Sequence, residues 1–260
     1  MRVLMIGDVV GKPGRQAVRA LTPRLRRELK ADVVIANGEN AAAGRGLTPA
    51  TARELFEAGV DVITSGNHIW DQKEIIPFLD GEALVLRPAN YPPAAPGRGL
   101  LTFKGLTVLN LQGRSFMVDI DDPFRVADQA LESLPAGATV LVDMHAETTA
   151  EKSAMAWYLD GRVAAVLGTH THVPTADARI LPGGAAYVCD VGMVGPRDSV
   201  IGNDVSAVLQ RFLTGMPTRL PVAESSAVVQ FNAVLVDIDE TANRARSIER
   251  IDREWQRYGE

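Results

Sequence analysis

Cysteine is almost missing from this 260-residue chain. Cys189 stands alone, so no intrachain disulfide can form and a reducing, cytoplasmic setting is expected. Aromatic residues make up only 5% of the sequence, and long apolar runs are missing too. The start, "MRVLMIGDVVGKPG", carries a four-residue apolar stretch before Gly7, too short for a signal peptide. No segment approaches the length of a membrane span. A basic surplus is also absent: 27 Lys and Arg face 32 Asp and Glu, a formal charge of −5. That argues against a sequence-independent nucleic-acid binder, which needs a basic face. It leaves room for an enzyme that takes one nucleotide in a local pocket. Repeats, low-complexity tracts and linkers are lacking, so residues 1–260 read as a single domain with enough chain to bury a sizeable core.

What the chain does have is alternation. Short apolar runs that read as strands ("RVLMI", "DVVIA", "VDVITS", "TVLVDM", "VAAVLG") are separated by segments of helical period. Ala17, Leu21 and Leu25 share one face of the first helix, which Pro13 can open in its first turn. Pro23 is expected to kink or restart that helix, with Thr22 as cap. Thr48-Pro49 reads as a cap and first helical residue, with Gly59 as the stop. "QKEIIPFLD", "PFRVADQALESL", "TAEKSAMAWYLDG" and "DVSAVLQRFLTG" read as further helices. "LLTF-KG-LTVLNL" and "ARILPGGAAYVCDV" read as hairpins, and "AVVQFNAVLVDID" with "RARSIERID" as closing antiparallel strands. The expectation is an α/β domain whose mixed sheet, or pair of packed sheets, is covered by helices on both sides.

Five polar clusters follow the apolar runs: "GD" at Gly7-Asp8, "NGEN" at Asn37 to Asn40, "GNH" at Gly66 to His68, "DMH" ending at His145, and "GTHTH" with His170 and His172. The carboxyl ends of strands line the ligand crevice of α/β sheets, so all five are expected at one site. The chain has 4 histidines, and every one falls in these clusters. Any one cluster alone reads as a polar turn or a surface accident. Five in step with the strand ends do not. Carboxylates, imidazoles and carboxamides without thiolates suit a transition-metal pair better than a structural zinc, which usually recruits cysteine. His170 and His172, two apart on a segment expected to be extended, would share a face and could ligate adjacent ions.

In this order the clusters resemble the calcineurin-like metallophosphoesterases. The variant "GDVVGKPGR", "ANGENAAAGRGLT" and "TSGNHIWDQKEI" is similar to the bacterial YmdB-like 2′,3′-cyclic-nucleotide 2′-phosphodiesterase family. The resemblance runs from Asp8 to His172 and extends to total length. It implies a four-layer αββα sandwich of two mixed sheets, a dinuclear metal site at the strand carboxyl ends, and a homo-oligomer. Two positions depart from the general superfamily pattern: Val10 stands where a ligating histidine is common, and Glu39 replaces a bridging aspartate. The resemblance assigns Asp8, Glu39, Asn40 and His172 to one ion, and Glu39 as bridge with Asn67, His145 and His170 to the other. It implies two divalent or transition-metal ions per chain, with iron or manganese favoured and zinc possible. His68 is then left beside the substrate phosphate as a proton donor, and Asp71 either orients its ring or caps the helix that follows.

The implied reaction is hydrolysis of small-molecule 2′,3′-cyclic nucleotides. A hydroxide bridging the metals attacks phosphorus in line, and the 2′ bond opens to leave a 3′-nucleotide. The substrate class comes from the resemblance, whereas the motifs alone support only phosphoester hydrolysis. Arg45, Arg114 and Arg197 each read as a phosphate or base contact or as plain surface charge. "GKPG" at Gly11 to Gly14 reads as a turn, against a weaker hint of a phosphate cradle. Two rivals stand beside this reading: a broader phosphodiesterase or nucleotidase, and a metal-bearing regulatory or RNA-associated scaffold with incidental hydrolysis. The acidic balance weakens the RNA version. A scaffold also has no use for a proton donor beside the ions.

Overall fold

The computed structural model describes residues 1–81 and 84–257. In chain order the elements are β1 (Arg2–Ile6), β2 (Asp8–Val9), α1 (Gly11–Glu28), β3 (Val33–Asn37), α2 (Pro49–Glu57), β4 (Val62–Thr64) and α3 (Ile76–Leu79). There follow β5 (Leu100–Phe103), β6 (Leu106–Gln112), α4 (Pro123–Glu132), β7 (Thr139–His145), α5 (Thr149–Leu159) and β8 (Ala165–Thr169). The chain closes with β9 (Arg179–Ile180), β10 (Ala186–Val188), β11 (Met193–Pro196), α6 (Val205–Thr214), β12 (Val228–Asp239) and β13 (Arg244–Gln256).

Two mixed sheets result. The first has the order β2-β11-β12-β1-β3-β4, with β13 paired to β12, and the second has the order β5-β6-β7-β8-β10-β9. Strand β12 is long enough to pair β11 at Val229–Phe231 and β1 at Ala233–Asp237, while β13 runs along it from Val228 to Asp239. Parallel pairing links β1 to β3, β3 to β4, β6 to β7 and β7 to β8, so the carboxyl ends of these strands face one edge of each sheet.

Alternation along the strands produces three apolar layers. Leu4 and Ile6 of β1 pack under Ala17, Leu21 and Leu25 of α1 and Leu55 of α2. Their sequence neighbours Val3 and Met5 turn the other way and meet Val108, Leu141 and Leu167 of the second sheet. On that sheet's far face, Val142 and Met144 pack against Ala127 of α4 and Met155 and Leu159 of α5. Helix, sheet, sheet, helix: the four-layer αββα sandwich is the observed architecture.

Local chemistry accounts for the elements, with four departures from expectation. Thr48 caps α2 through a reciprocal pair of bonds with Thr51, and Gly59, at φ 97°, follows the helix end. Helix α1, by contrast, does not restart at Pro23. It runs unbroken from Gly11 to Glu28, and the Thr22 hydroxyl is buried with no hydrogen-bond partner among the described residues instead of capping anything. Pro23 and Arg19 both lie on the exposed face, where water can serve the carbonyl that proline's missing N–H leaves unbonded. "GKPG" is neither a turn nor an open cradle, because it forms the first turn of α1 and the Gly11 N–H is already spent on the Asn40 carbonyl. "QKEIIPFLD" yields only a 3₁₀ turn at Lys73–Ile75 and the single turn of α3, since Pro77 cannot donate within the run. Strands β2 and β11 carry two and four residues, too short to show a period.

Pro23→Ala is expected to raise the unfolding free energy by about 1–3 kcal/mol by restoring a helical hydrogen bond. Equilibrium urea denaturation reads the change. An unmoved midpoint would show that hydration of the Arg19 carbonyl already makes good the missing bond.

Candidate metal centre

The five clusters meet where the two sheets face each other at their carboxyl edges. Strand β7 ends on His145, β8 on Thr169 and β3 on Asn37, all buried. One ring edge of His145 is tied down: Nδ1 lies 2.9 Å from the Thr169 hydroxyl, which itself donates to Asp143 Oδ1 at 2.7 Å. A hydroxyl whose proton is committed to a carboxylate accepts from Nδ1–H, which leaves Nε2 as the nitrogen that faces the cluster and can take a proton or a cation. Around Nε2 stand Glu39 Oε1 at 3.1 Å, Asn67 Oδ1 at 3.2 Å and His170 Nδ1 at 3.1 Å. Glu39, His145 and His170 thus form one compact donor cluster.

The other rings are tied in the same manner. His170 Nε2 is 3.0 Å from Glu147 Oε2, and its Nδ1 turns inward. His172 Nδ1 donates to the Ile201 carbonyl at 2.9 Å, and its Nε2 stands 3.2 Å from the Asn40 carboxamide and 3.8 Å from Asp8 Oδ1. Asn40 also lies 3.4 Å from Glu39 Oε1, and Asp8 Oδ2 accepts the His170 N–H at 3.1 Å. Asp8, Glu39, Asn40, Asn67, His145, His170 and His172 are therefore brought into one connected group.

The H-x-H segment is not extended. β8 ends at Thr169, and His170 and His172 adopt φ of 98° and 64°, so their rings diverge toward different partners. Buried groups hold this costly backbone. Asp190 Oδ2 accepts from the Thr171 N–H at 3.1 Å and its hydroxyl at 2.6 Å, and pairs with Lys152 Nζ at 2.7 Å. Lys152 is only 1% exposed. Gly66 serves a second close approach: a Cβ there would lie 2.0 Å from the His145 ring.

The electrostatics leave room for a cation. Burial pushes the Asp8 carboxyl up to about 7, against the pull of His172 and His145. Asp8 Oδ1 is buried with no hydrogen-bond partner among the described residues. Burial would also raise Glu39, yet the adjacent His145 holds it down at about 2. Burial would lower His145, but Glu39 lifts it to about 9. His170 falls to about 3 through burial and the charge of His145. An orphaned carboxylate oxygen, oxygen and nitrogen atoms converging at 3.1–3.2 Å on His145 Nε2, where a cation can replace a proton, and outer nitrogens tied to fixed acceptors fit a metal site. Donors about 2.0–2.2 Å from one ion stand roughly 3 Å from each other.

His68 differs from the other three histidines. Its backbone N–H donates to Glu39 Oε2 at 2.9 Å, while its ring Nδ1 lies 3.0 Å from Asp71 Oδ2. The next helical turn is capped at Gln72 with no side-chain bond, so Asp71 orients the His68 ring instead of capping. His68, His170 and His172 line a cleft of ≈610 Å³. Of the three arginines considered from sequence, Arg45 lines it; Arg114 pairs with Asp122 and Arg197 with Glu254. Sequence reasoning did not mark Glu147, Asp143, Asp190 or Lys152. "DMH" contains Asp143, but nothing in the order of residues pairs a helix lysine with a distant aspartate.

A family model described as "YmdB-like protein" matches residues 4–251. The chain belongs to the YmdB-like family. Within that resemblance, it is 48% identical to the 2′,3′-cyclic-nucleotide 2′-phosphodiesterase of Bacillus subtilis (strain 168), covering 96% of each chain. It is also similar to a hypothetical protein from Thermus thermophilus, with TM-score 0.91, 48% identity and coverage of 98% and 99% of the two chains. A solved phosphatase from Mycoplasma pneumoniae gives TM-score 0.92 at 34% identity, over 98% and 94%. The YmdB-like fold and its edge cluster thus coincide in one chain.

Lys152→Met should lower stability by about 3–5 kcal/mol, the usual effect of leaving one member of a buried ion pair without its partner. Urea unfolding measures it. A loss below about 1 kcal/mol would mean that Thr171 and Gly192 satisfy Asp190 without the ammonium.

Proposed function

We propose that the protein is a metal-dependent phosphodiesterase that hydrolyses nucleoside 2′,3′-cyclic phosphates and releases 3′-nucleotides. The observation that carries this reading is the inward convergence of three histidine nitrogens, each with its outer nitrogen bonded to a hydroxyl, a carboxylate or a carbonyl. The name of the Bacillus subtilis relative supports the substrate class.

In this reading Asp8, Asn40 and His172 would hold one ion, Asn67, His145 and His170 would hold the other, and Glu39 would serve both. When bound, the pair supplies Lewis acidity to the phosphoryl oxygens and lowers the pKa of the attacking water. Iron or manganese suits the mixed oxygen and nitrogen donors better than zinc. The chain's own residues do the rest. Asp71 holds Nδ1 of His68, so Nε2 is the ring nitrogen able to protonate the departing 2′ oxygen. The oxygen of water ends on phosphorus, the bond to the 2′ oxygen breaks, and that oxygen leaves as a hydroxyl. The imidazole is then reprotonated from solvent, to which the His68 side chain is 19% exposed.

Elemental analysis of gently purified protein is expected to approach two transition-metal ions per chain, about equal in occupancy. Exhaustive chelation should abolish hydrolysis, and manganese or iron should restore it. Full turnover by verified metal-free protein sinks the proposal.

His68→Ala should retain the metals and slow cyclic-nucleotide hydrolysis by roughly 10²–10⁴-fold. The loss should shrink on a nitrophenyl phosphodiester, whose leaving oxygen needs little protonation. Equal losses on both esters at full metal content would assign His68 to phosphate positioning instead.

A further inference from the structure

The cleft lined by the histidines is also lined by the Arg45 turn, the end of α6 and the loop that follows it. Arg45, Arg211 and Arg219 all line it, from three separate segments. The two acidic residues lining it are already engaged: Glu39 with His145 and Glu147 with His170. Arg45 Nε is 3.6 Å from Asp71, and its side chain is 72% exposed. Arg211 and Arg219 have no anionic partner among the described residues. No Phe, Tyr or Trp lines the cleft among those residues, and its rings are the imidazoles of His68, His170 and His172.

The fold brings these arginines together by direct packing. Arg45 lies in the turn closed by the Arg45 N–H to Ala42 bond, shortly after Glu39 and Asn40, and Gln72 pins its carbonyl. Arg211 comes from the last turn of α6. Arg219 lies in the following loop, which folds back so that Asp204 N–H reaches Pro221 and Val222 packs over Gly44. A Cβ at Gly44 would lie 2.7 Å from Val222, so the Arg219 loop closes directly on the Arg45 turn. The same wall holds the metal-side ring, since Ile201, whose carbonyl binds His172, lines the cleft as well.

In a chain with formal charge −5, this cleft is lined by three arginines, two of them without a carboxylate partner among the described residues, so it presents positive charge to an anion. Guanidinium forks match phosphate oxygens in shape and charge. We propose that Arg211 and Arg219, with Arg45, form a subsite for a second phosphate group of the substrate, one nucleoside away from the cyclic phosphate. The ligand class is a nucleoside 2′,3′-cyclic phosphate that also carries phosphate on its 5′ side. That phosphate is either a terminal monoester or the diester of a preceding nucleotide. This deepens the proposed function and rests on it for the identity of the first phosphate.

Binding of product analogues tests the subsite apart from turnover. Metal-loaded protein is titrated calorimetrically with adenosine 3′-monophosphate, adenosine 3′,5′-bisphosphate and the dinucleotide ApAp with a 3′-terminal phosphate. At least one of the two-phosphate probes should bind about tenfold more tightly than the monophosphate, the ratio one charge-assisted hydrogen bond supplies. The advantage should fall toward one in Arg211→Ala and in Arg219→Ala, and shrink in wild type as salt rises. A gain confined to the bisphosphate identifies a 5′-terminal phosphate, and a gain with ApAp a longer chain. Equal affinity for all three probes, or an advantage that survives in both folded variants, overturns the subsite. Should the binding advantage hold while no cyclic phosphate is hydrolysed, the catalytic reading fails and the subsite stands.

Discussion

The hydrogen bond between His145 Nδ1 and Thr169, 2.9 Å long and backed by the Thr169 to Asp143 bond of 2.7 Å, fixes which nitrogen looks into the site. The Nδ1–H is consumed on the far edge, so Nε2 is the nitrogen left to the cluster. Asn37 steadies the same group from β3, its amide donating to Thr169 Oγ1 and to Asp143 Oδ2, each at 3.4 Å. Three strands from two sheets therefore converge on one ring. If the sheets shifted against each other by an ångström, the 3.1 Å contact to Glu39 and the 3.2 Å contact to Asn67, both carried by the other sheet, would open. The close-packed layer between the sheets resists that shift.

Collecting this much charge out of water is expensive, and the fold balances it unevenly. The Lys152–Asp190 pair is closed at 2.7 Å and supplied with further donors from Thr171 and Gly192. Glu39 has the His145 ring and the His68 amide. Asp8 does worse: its Oδ1 lacks a hydrogen bond, and burial lifts its carboxyl to about 7. The uneven balance is itself informative, because a purely structural network would have satisfied its most buried oxygen. The left-handed backbone at His170 and His172 points the same way. Strain of this kind persists where surrounding contacts over-determine it, and Asp190 and Ile201 supply those contacts.

Much of this was legible in the order of residues, for reasons that differ by level. The buried strands β1, β3, β7 and β8 declared themselves through mainly apolar runs, and the ligand clusters through their position directly after such runs. The helix ends at Thr48 and Gly59 followed from local chemistry. Pro23 misled because a lone sequence cannot say whether the orphaned carbonyl faces water. The H-x-H spacing misled because period-two logic assumes an extended backbone, while tertiary bonds to Asp190 and Ile201 impose left-handed turns. Glu147, Lys152, Arg211 and Arg219 went unmarked because their significance is spatial. A charged residue on a helix reads as solvated until the fold shows what it faces.

The four histidines illustrate how one residue type is divided between roles by what the backbone does. His145, His170 and His172 give their side chains to the donor cluster, and in each the outward nitrogen is bonded to a fixed acceptor. At His68 it is the main-chain N–H that serves Glu39, at 2.9 Å. With the main chain committed there, the ring extends toward Asp71 and the cleft, separate from the inward-facing nitrogens. Gly66, two residues earlier, lets this segment press against His145, since a Cβ would lie 2.0 Å from that ring. The spacing of "GNH" therefore has a mechanical reading. Glycine permits the approach, Asn67 meets His145 Nε2 at 3.2 Å, and the next residue turns its ring into the open cleft. A segment one residue shorter would have to choose between reaching the cluster and facing the substrate.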